Sequence, residues 1–423
     1  MAEPMDRRPP TIALLGAFDT KGAELDHVQG LIEQQGFRVF VIDTSVAGDG
    51  HASPDVSPAE VARAGGRELD ELRRLHDRGT AMDTMVRGAA IVAPQLWSDG
   101  RFDGIIALGG GAGTAVGTAA MRALPFGVPK VMVTTLASGD TRAYVGGSDL
   151  VMVPSVVDIA GINRITRSVF ARAAGAICGM VEALSGLATS HDPAARPLVA
   201  ASMFGNTTRA VDQAREILEA AGFEVLVFHA TGVGGESMEN LIRAGQFAGV
   251  LDLTTTELAD EICGGVLSTG PSRLRGAAQA GVPQVVAPGC LDMVNFWAMD
   301  TVPEKYRQRN LYPWNPQVTL MRTTEEENRE LGALIAHRLN EATGPISVFI
   351  PTRGFSELDI EGGSFWSPQA DAAFLDALQT DLRPDIPVTL LDVDVNSPVF
   401  SEAMATELIA MMSGRPTRVS KSK

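Results

Sequence analysis

The stretch TIALLGAFDTKG, residues 11–22, governs how the rest of the chain is interpreted. Residues 11–15 form a short apolar run that predicts a buried strand, and residues 24–35 show the spacing of an amphipathic helix. A strand, a glycine-opened turn and a helix bring free backbone amides to one point, where they can bind an anion. We therefore predict half of a phosphate pocket in this turn, contributed by Gly16, Phe18, Asp19, Thr20 and Lys21.

A glycine run further along the chain predicts the other half of this pocket. It follows an apolar run at 102–108 and consists of Gly109, Gly110, Gly111, Ala112, Gly113 and Thr114. Consecutive glycines let the backbone approach a ligand that a Cβ atom would block. Neither turn matches GxxxxGK[ST], and the second gives no clean GxGxxG. Two alternatives therefore stay open: a tight turn with an exposed lysine at Lys21, and close helix–sheet packing at the glycines.

Three side chains of the first pocket half have individual predicted roles. Lys21 would meet phosphate as a point charge, and Thr20 would offer a hydroxyl to phosphate or Mg²⁺. Asp19 either holds Mg²⁺ through water or caps the helix N-terminus. Thr44 follows a second predicted strand at 37–43, at the carboxyl end where ligands gather in open parallel sheets.

Four sequence blocks of the first half recur in the same order in the second half. The blocks pair in order: 12–15 with 199–202, 36–42 with 222–228, 102–106 with 247–251, and 127–131 with 281–285. Such a repeat predicts two copies of one strand–helix unit. We predict an α/β protein of two Rossmann-like domains with parallel sheets, related by internal duplication. The domains would span residues 1–190 and 197–423, joined by a proline-bracketed linker at 188–197.

The two copies differ where the first carries its predicted phosphate site. Thr208 stands where the first copy has Lys21, and residues 254–261, TTTELADE, replace the glycine run. The first copy is therefore the better nucleotide site, whereas the second offers hydroxyls and carboxylates to a different ligand. Glu257 and Asp292 are the candidates for a base or a metal ligand there. For Glu257 the alternative is a carboxylate that only complements the helix dipole.

Composition excludes several classes of protein. The 423 residues carry a formal net charge of −16, which disfavours binding to nucleic acid and to anionic membrane surfaces. The three cysteines are far apart and form no CxxC motif. No apolar run is long enough to predict a membrane span, and residues 1–10 lack the apolar region of a signal peptide. We expect a soluble cytoplasmic protein.

The chain resembles the Tm-one-like ATP-binding proteins, meaning the N-terminal region of a plant tobamovirus-resistance protein and its bacterial relatives. The resemblance rests on residues 16–21, 107–114, 161–165, 264–268, 292–296 and 319–324. It implies two Rossmann-like domains, ATP with Mg²⁺ in the first, and a homo-oligomer of two or more subunits. By position, ATP would contact residues 16–21, Thr44 and residues 109–114. Trp314 departs from the family pattern, which has His-Asn-Pro where this chain has Trp-Asn-Pro.

Two functions are compatible with these observations. In the first, the protein is an ATP- and Mg²⁺-dependent enzyme that acts on a small metabolite at a cleft between the domains. Lys21 would neutralise phosphate charge, and Glu257 or Asp292 would act as base or metal ligand. In the second, the protein is a non-catalytic regulator whose domain angle or assembly depends on ATP and is recognised by a partner protein. Steady release of ADP would separate the two.

Overall fold

The computed structural model of the chain describes residues 9–187 and 196–414. The chain divides into two compact units, Met1–Pro193 and Ala194–Lys423, which we call the N-terminal and C-terminal units. Most of the predicted linker at 188–197, and most of the N-terminal segment 1–10, lie outside the described residues. The predicted domain limits at 190 and 197 therefore stay predictions.

A five-stranded parallel sheet forms the centre of the N-terminal unit. Its strands are β1 (Thr11–Gly16), β2 (Arg38–Asp43), β3 (Gly104–Gly109), β4 (Lys130–Thr134) and β5 (Val151–Pro154). They lie in the order β2-β1-β3-β4-β5 and are parallel throughout. β1 and β3 are buried along their whole length. Strands that are covered on both faces consist of continuous apolar residues instead of alternating apolar and polar ones. This is why these strands could be predicted from apolar runs in the sequence.

Helices cover both faces of this sheet. They are α1 (Phe18–Glu33), α2 (Pro58–Ala64), α3 (Leu69–Leu75), α4 (Arg78–Ser98), α5 (Gly111–Ala123), α6 (Arg142–Val145) and α7 (Arg164–Leu187). α1 and α7 pack on one face, whereas α2, α3, α4 and α5 pack on the other. The strand order reverses between β1 and β3. Helix α1, which follows β1, and helix α5, which follows β3, therefore lie on opposite faces of the sheet, and their N-termini flank one crevice at its carboxyl edge. Ligands of open α/β sheets bind at such a point.

Helix α7 corrects one expectation from the sequence. Its segment Arg164–Ser185 is long and apolar enough to cross a membrane by length and composition, with 39% of the apolar window buried. Val169, Phe170 and Ile177 from this helix pack in the core on the α1 face of the sheet. A core helix of this kind passes the same test of length and composition. The cytoplasmic location stays a prediction.

The C-terminal unit contains a six-stranded parallel sheet and a small antiparallel one. Its strands are β6 (Leu198–Met203), β7 (Glu224–His229), β8 (Gly249–Thr254), β9 (Gln284–Gly289), β10 (Met293–Phe296), β11 (Leu311–Asn315), β12 (Val318–Arg322), β13 (Ile346–Pro351) and β14 (Val388–Leu391). The parallel sheet has the order β14-β13-β9-β8-β6-β7, and the antiparallel sheet has the order β10-β12-β11.

The helices of the C-terminal unit also cover both faces of its parallel sheet. They are α8 (Thr208–Ala220), α9 (Val233–Arg243), α10 (Glu257–Cys263), α11 (Gly276–Ala280), α12 (Glu325–Leu339), α13 (Pro368–Asp381) and α14 (Pro398–Met412). α8 and α14 pack on one face, and the others on the opposite face.

Both parallel sheets share one strand order. In each, the first strand lies between the second and the third, and the fourth and fifth parallel strands follow in turn. The four repeated sequence blocks occupy the first four strands of each sheet and the loops before them. The prediction of two Rossmann-like domains with parallel sheets is confirmed. The antiparallel sheet is an insertion after the fourth parallel strand of the C-terminal unit.

Two glycines of the N-terminal unit give a matched test of its packing. A Cβ atom added at Gly88 in α4 would lie 2.0 Å from the carbonyl oxygen of Val61 in α2. The two helices can therefore pack this closely only because residue 88 has no side chain. We expect Gly88→Ala to lower the free energy of unfolding by about 1–3 kcal/mol because the helices must separate. Gly30→Ala in α1, where the added atom would have nothing within 4 Å, should instead raise it by roughly 0.5–1 kcal/mol. Urea unfolding of both variants checks this, and a similar change in both would contradict it.

Candidate functional site

The N-terminus of α5 lies at the crevice between β1 and β3. Gly110 occupies the N-cap position, and no side chain caps the helix. A Cβ atom added at Gly109 would lie 2.6 Å from the Cα atom of Gly113, so packing alone requires glycine at 109. At Gly111 it would meet nothing within 4 Å, and at Gly110 only the Thr135 hydroxyl oxygen at 3.8 Å. Close packing therefore accounts for Gly109, whereas open space lies in front of Gly110 and Gly111.

The remaining residues of the glycine run serve the local structure. Gly113 lies against the strand, since an added Cβ atom would be 3.1 Å from the Leu108 carbonyl oxygen. Thr114 is fully buried, and its hydroxyl donates to the Gly110 carbonyl oxygen at 2.7 Å. The same hydroxyl lies 2.6 Å from the Thr134 hydroxyl in β4. The Thr114 side chain therefore ties α5 to the sheet instead of facing the open space. Ala112 lies in the first turn between these glycines.

A cavity of about 420 Å³ lies beside the glycine run, at the carboxyl ends of β4 and β5. It is lined by Thr134, Thr135, Ser138, Pro154, Ser155, Val156, Val157 and Asp158. Val156 has a φ angle of 67° and is 73% exposed. A left-handed conformation is costly for a β-branched residue, and such strain is concentrated at functional sites. The sequence carried a weak signal for this cavity, the hydroxyl residues after β4, and none for Val156.

Lys21 reaches the loop that forms the far wall of this cavity. Its own backbone is non-helical, with φ −131° and ψ 23°, which interrupts α1 near its start. The Lys21 ammonium group donates a hydrogen bond to the carbonyl oxygen of Ile159, next to the cavity residue Asp158. An ammonium group has three N–H donors, so two remain for a ligand. The sequence placed Lys21 near phosphate but gave no sign of the contact with Ile159.

Asp19 holds a loop. Its Oδ2 atom accepts hydrogen bonds from the amides of Val46, Ala47 and Gly48 at 3.1, 2.9 and 3.2 Å. Its own amide donates to the Ser45 hydroxyl at 3.0 Å. Neither contact is a cap of α1, whose N-cap residue makes no side-chain hydrogen bond. Within residues 9–187 and 196–414 no group of three or more His, Cys, Asp and Glu side chains could hold a metal ion. The Oδ1 atom of Asp19 is buried without a hydrogen-bond partner among these described residues, so the contact of Asp19 with Mg²⁺ through water stays a prediction.

The other residues predicted around the first turn are close to one another. Thr44 is buried, and its amide donates to the Gly16 carbonyl oxygen at 2.9 Å. Gly16 is required by packing, because an added Cβ atom would lie 2.7 Å from a methyl carbon of Leu25. Phe18 packs edge-on against His51, with ring centroids 4.9 Å apart. Thr20 is exposed, and its hydroxyl donates to the Ala17 carbonyl oxygen at 3.3 Å.

Glu257 in the C-terminal unit is committed to a buried ion network. It is fully buried, and its Oε1 atom accepts from the amides of Gly232 and Gly235 at 2.7 and 3.2 Å. Its Oε2 atom accepts from Nε of Arg273 at 2.6 Å. Both carboxylate oxygens are therefore occupied by the protein itself. A catalytic base needs an oxygen that a substrate proton can reach, so this geometry gives no support to that role of Glu257, which stays a prediction.

Asp292 is also fully buried, in the loop after β9, but one of its oxygens is not engaged. Oδ2 accepts from the Ser356 hydroxyl at 2.7 Å, whereas Oδ1 has no hydrogen-bond partner in the part of the chain that the structure describes. Burial raises the pKa of Asp292 to about 6, and the nearby Arg322 guanidinium opposes that shift. The structure does not bring Asp292 together with the N-terminal candidates in one unit.

The raised pKa of Asp260 in α10 predicts that the stability of the C-terminal unit depends on pH. Burial raises the pKa of Asp260 to about 8, although the amide and the side-chain nitrogen of Asn295 donate to it at 2.6 and 2.9 Å. A raised pKa means that the folded state binds the proton more tightly than the unfolded state. This contribution to stability is therefore complete below about pH 4 and is lost as the pH rises towards 8. We expect Asp260→Asn to flatten the fall in unfolding free energy over this range. Urea unfolding at several pH values checks it, and an equal flattening by Asp376→Asn, at an exposed residue, would contradict it.

Comparison with known proteins gives the following matches. The model described as "Uncharacterised protein family (UPF0261) N-terminal domain" matches residues 10–185, and the corresponding C-terminal domain model matches residues 196–412. A UPF0261 protein of Clostridium tetani is 47% identical over 402 residues, which cover 95% of this chain and 98% of that protein. The ToMV susceptible protein tm-1(GCR26) of Solanum lycopersicum is 37% identical over 420 residues, 95% of this chain and 56% of that protein. The structure of a UDP-N-acetylglucosamine 2-epimerase from Rickettsia bellii aligns over 96% of this chain and 97% of its own, with 9% identity and a TM-score of 0.24, which carries no argument.

Proposed function

The chain belongs to the UPF0261 family, which confirms its resemblance to the tomato protein and the bacterial relatives, and from this premise we propose that its N-terminal unit binds ATP. The triphosphate would lie at the N-terminus of α5, in the open space before Gly110 and Gly111. The observation that carries the proposal is that this helix N-terminus is uncapped and that its two leading glycines meet no protein atom that would require them. Free amides and the helix dipole at such a position favour phosphate.

Local charge supports an anion at this site although the whole chain carries a net charge of −16. The amides of α5 supply partial positive charge, and the Lys21 ammonium group keeps two donors beyond its bond to Ile159. The hydroxyls of Thr135, Ser138 and Ser155 line the adjacent cavity and can bind ribose or phosphate oxygens. A volume of about 420 Å³ is within the range of small-molecule sites.

The predicted Mg²⁺ has weaker support than the predicted ATP. Asp158 is the acidic residue among the described residues that line the cavity. Three backbone amides bond Oδ2 of Asp19, whereas its Oδ1 atom has no partner in the described part of the chain. Within residues 9–187 and 196–414 no group of three or more acidic, histidine or cysteine side chains could hold a divalent ion without help from ATP. Titration of the protein with ATP in the presence and absence of Mg²⁺ measures the contribution of the ion to ATP binding.

Two uses of ATP follow from the proposal. As an ATP-dependent enzyme, the protein would transfer or hydrolyse phosphate with a small metabolite bound nearby. As a non-catalytic regulator, it would change conformation or assembly with ATP and bind a protein partner. One observation favours the regulator: the Ser155 and Thr134 hydroxyls of the cavity are bonded to the Val157 carbonyl oxygen and the Thr114 hydroxyl, not to the carboxylate of Asp158. Steady release of ADP that depends on one metabolite would establish the enzyme, and ATP recovered intact would establish the regulator. The homo-oligomer stays a prediction that sedimentation can test.

A pair of equivalent positions in the two units tests the ATP site. We expect Lys21→Ala to weaken ATP binding by roughly 1–3 kcal/mol, the contribution of a hydrogen bond to a charged group. Thr208→Ala should leave ATP affinity unchanged, because this hydroxyl donates to the Gly205 carbonyl oxygen at 3.0 Å within the C-terminal unit. Isothermal titration calorimetry measures both affinities. Thermal denaturation controls for the lost bond from Lys21 to Ile159. Equal losses in the two variants, or none in Lys21→Ala, would refute the proposed site.

A further inference from the structure

Six buried side-chain oxygens in the described part of the C-terminal unit lack hydrogen-bond donors, and two of them, on Asn206 and Asp292, follow the carboxyl ends of parallel strands. Asn206 follows β6 and is 1% exposed, and Asp292 follows β9 and is 0% exposed. The Oδ1 atom of each has no partner among residues 9–187 and 196–414. Buried polar atoms are nearly always hydrogen-bonded, and an unsatisfied one costs about 1–3 kcal/mol. These two acceptors lie at the carboxyl edge of one sheet, where a ligand hydroxyl or a buried water molecule can supply the donor that each lacks.

Asn206 contacts the residue that follows Asp292, at the crevice that corresponds to the proposed ATP site of the N-terminal unit. The side-chain nitrogen of Asn206 is 3.5 Å from the sulfur of Met293, the residue after Asp292. β6 lies between β7 and β8, and α8 and α9 pack on opposite faces of the sheet, so the strand order reverses here. Ligands of open α/β sheets bind at this position.

Aromatic rings surround the turn that carries Asn206. A Cβ atom added at the exposed Gly205 would lie 3.9 Å from the Trp314 ring, and Phe204 stacks on His229 with ring centroids 5.5 Å apart. Trp314 is 43% exposed. It is the extra residue of a β-bulge in the edge strand β11, because its two neighbours pair with consecutive residues of β12. Bulges of this kind redirect side chains beside functional sites.

We propose that this edge of the C-terminal unit binds a polyhydroxylated neutral ligand, a free sugar or alditol, independently of ATP in the N-terminal unit. Ligand hydroxyls donate to Oδ1 of Asn206 and Asp292, and the apolar face of the carbon skeleton packs on Trp314. Because both oxygens are buried, binding requires this edge of the unit to open, and the exposed hairpin tip at residues 314–317 carries Trp314.

The charges around Asp292 favour a neutral ligand. Arg322 lies close enough to oppose the rise in the pKa of Asp292, so its guanidinium repels a cationic ligand. Arg322 itself donates to Asp359 and Asp371 at 3.2 and 2.8 Å. An anionic ligand offers acceptors, whereas the Oδ1 atoms of Asn206 and Asp292 need donors. A hydroxyl group supplies a donor without adding charge to this cluster.

Titration of the full-length protein with neutral pentoses, hexoses and alditols tests this proposal. Saturation-transfer NMR should detect saturable binding of at least one of these compounds. Trp314→Ala should weaken that binding roughly threefold to tenfold, the size of an aromatic packing contribution. Trp297→Ala is the matched control, since Trp297 is also about half exposed, at 49%, and lies in the same unit beyond the end of β10. It should leave binding unchanged.

Asn206→Ala should abolish binding, with thermal denaturation as the check on folding. If this variant does not fold, the comparison between the two tryptophan variants still decides the outcome. The proposal is overturned if none of the sugars or alditols binds saturably, because buried water would then satisfy the two oxygens. Equal weakening in both tryptophan variants, or binding of aliphatic amines in place of sugars, also overturns it.

Discussion

Replacing Arg273 by leucine is expected to destabilise the C-terminal unit by about 3–5 kcal/mol, the cost of leaving buried charges without their partner. Arg273 is fully buried and donates to Asp252 through two nitrogens at 2.6 Å each and to Glu257 at 2.6 Å. It also pairs with Glu239 at 3.3 Å. Without the guanidinium, three carboxylates remain inside the unit with no cation between them. Since domains are stable by only about 5–15 kcal/mol, much of this unit's stability would be lost. Urea unfolding followed by circular dichroism measures the change.

An exposed ion pair provides the control for this substitution. Arg353 donates to Asp392 at 2.6 Å, but both side chains are more than half exposed. Water solvates these charges in both states, so Arg353→Ala should leave the unfolding transition where it is. If Arg273→Leu unfolded at the same urea concentration as the unchanged protein, the expected stabilisation by the buried ion network would be contradicted. That result would mean that the three carboxylates take up protons or water at little cost.

Placing aspartate at position 111 is expected to weaken ATP binding about a hundredfold, or roughly 2.8 kcal/mol, while the protein folds normally. An added Cβ atom at Gly111 meets nothing within 4 Å, so the side chain has room in the folded protein. A carboxylate in the first turn is favourable for the helix itself. In the ATP complex the same carboxylate would face the triphosphate and compete for the amides of α5. Calorimetric titration with ATP, together with the melting temperature, measures both effects.

Gly111→Ala separates charge from volume at this position. The methyl group should cost little ATP affinity, and the melting temperature should rise slightly because alanine is the better helix former. If Gly111→Asp binds ATP as tightly as the unchanged protein, the triphosphate does not lie at the N-terminus of α5. If both variants lose binding equally, the site excludes volume rather than charge.

The fold could be predicted because its signals are local. β1 and β3 are buried on both faces and therefore consist of apolar residues, and each is followed by a glycine turn and a helix. The repeat of strand blocks was visible without any contact information, since Phe37 and Phe223 each follow a glycine and directly precede equivalent strands. The insertion of β10, β11 and β12 carried no comparable signal, since short antiparallel strands resemble loops in composition.

The candidate site could be predicted only in part. The glycine run showed where a backbone can approach a ligand, but not that packing requires Gly109 while Gly111 faces open space. Glu257 had the sequence context of a catalytic carboxylate, yet Arg273, sixteen residues later in the chain, occupies it. The bond from Lys21 to Ile159 joins residues 138 positions apart, and no local pattern reports such a contact.

The sequence by itself determined the two α/β units, their parallel sheets and the strand ends at which ligands gather, because apolar runs and glycine turns act over a few residues. The tertiary structure alone decided which polar groups at those ends are still available. A carboxylate or an amide is committed or open according to the donors that distant segments bring within hydrogen-bond distance. Those segments meet only after the sheets have formed.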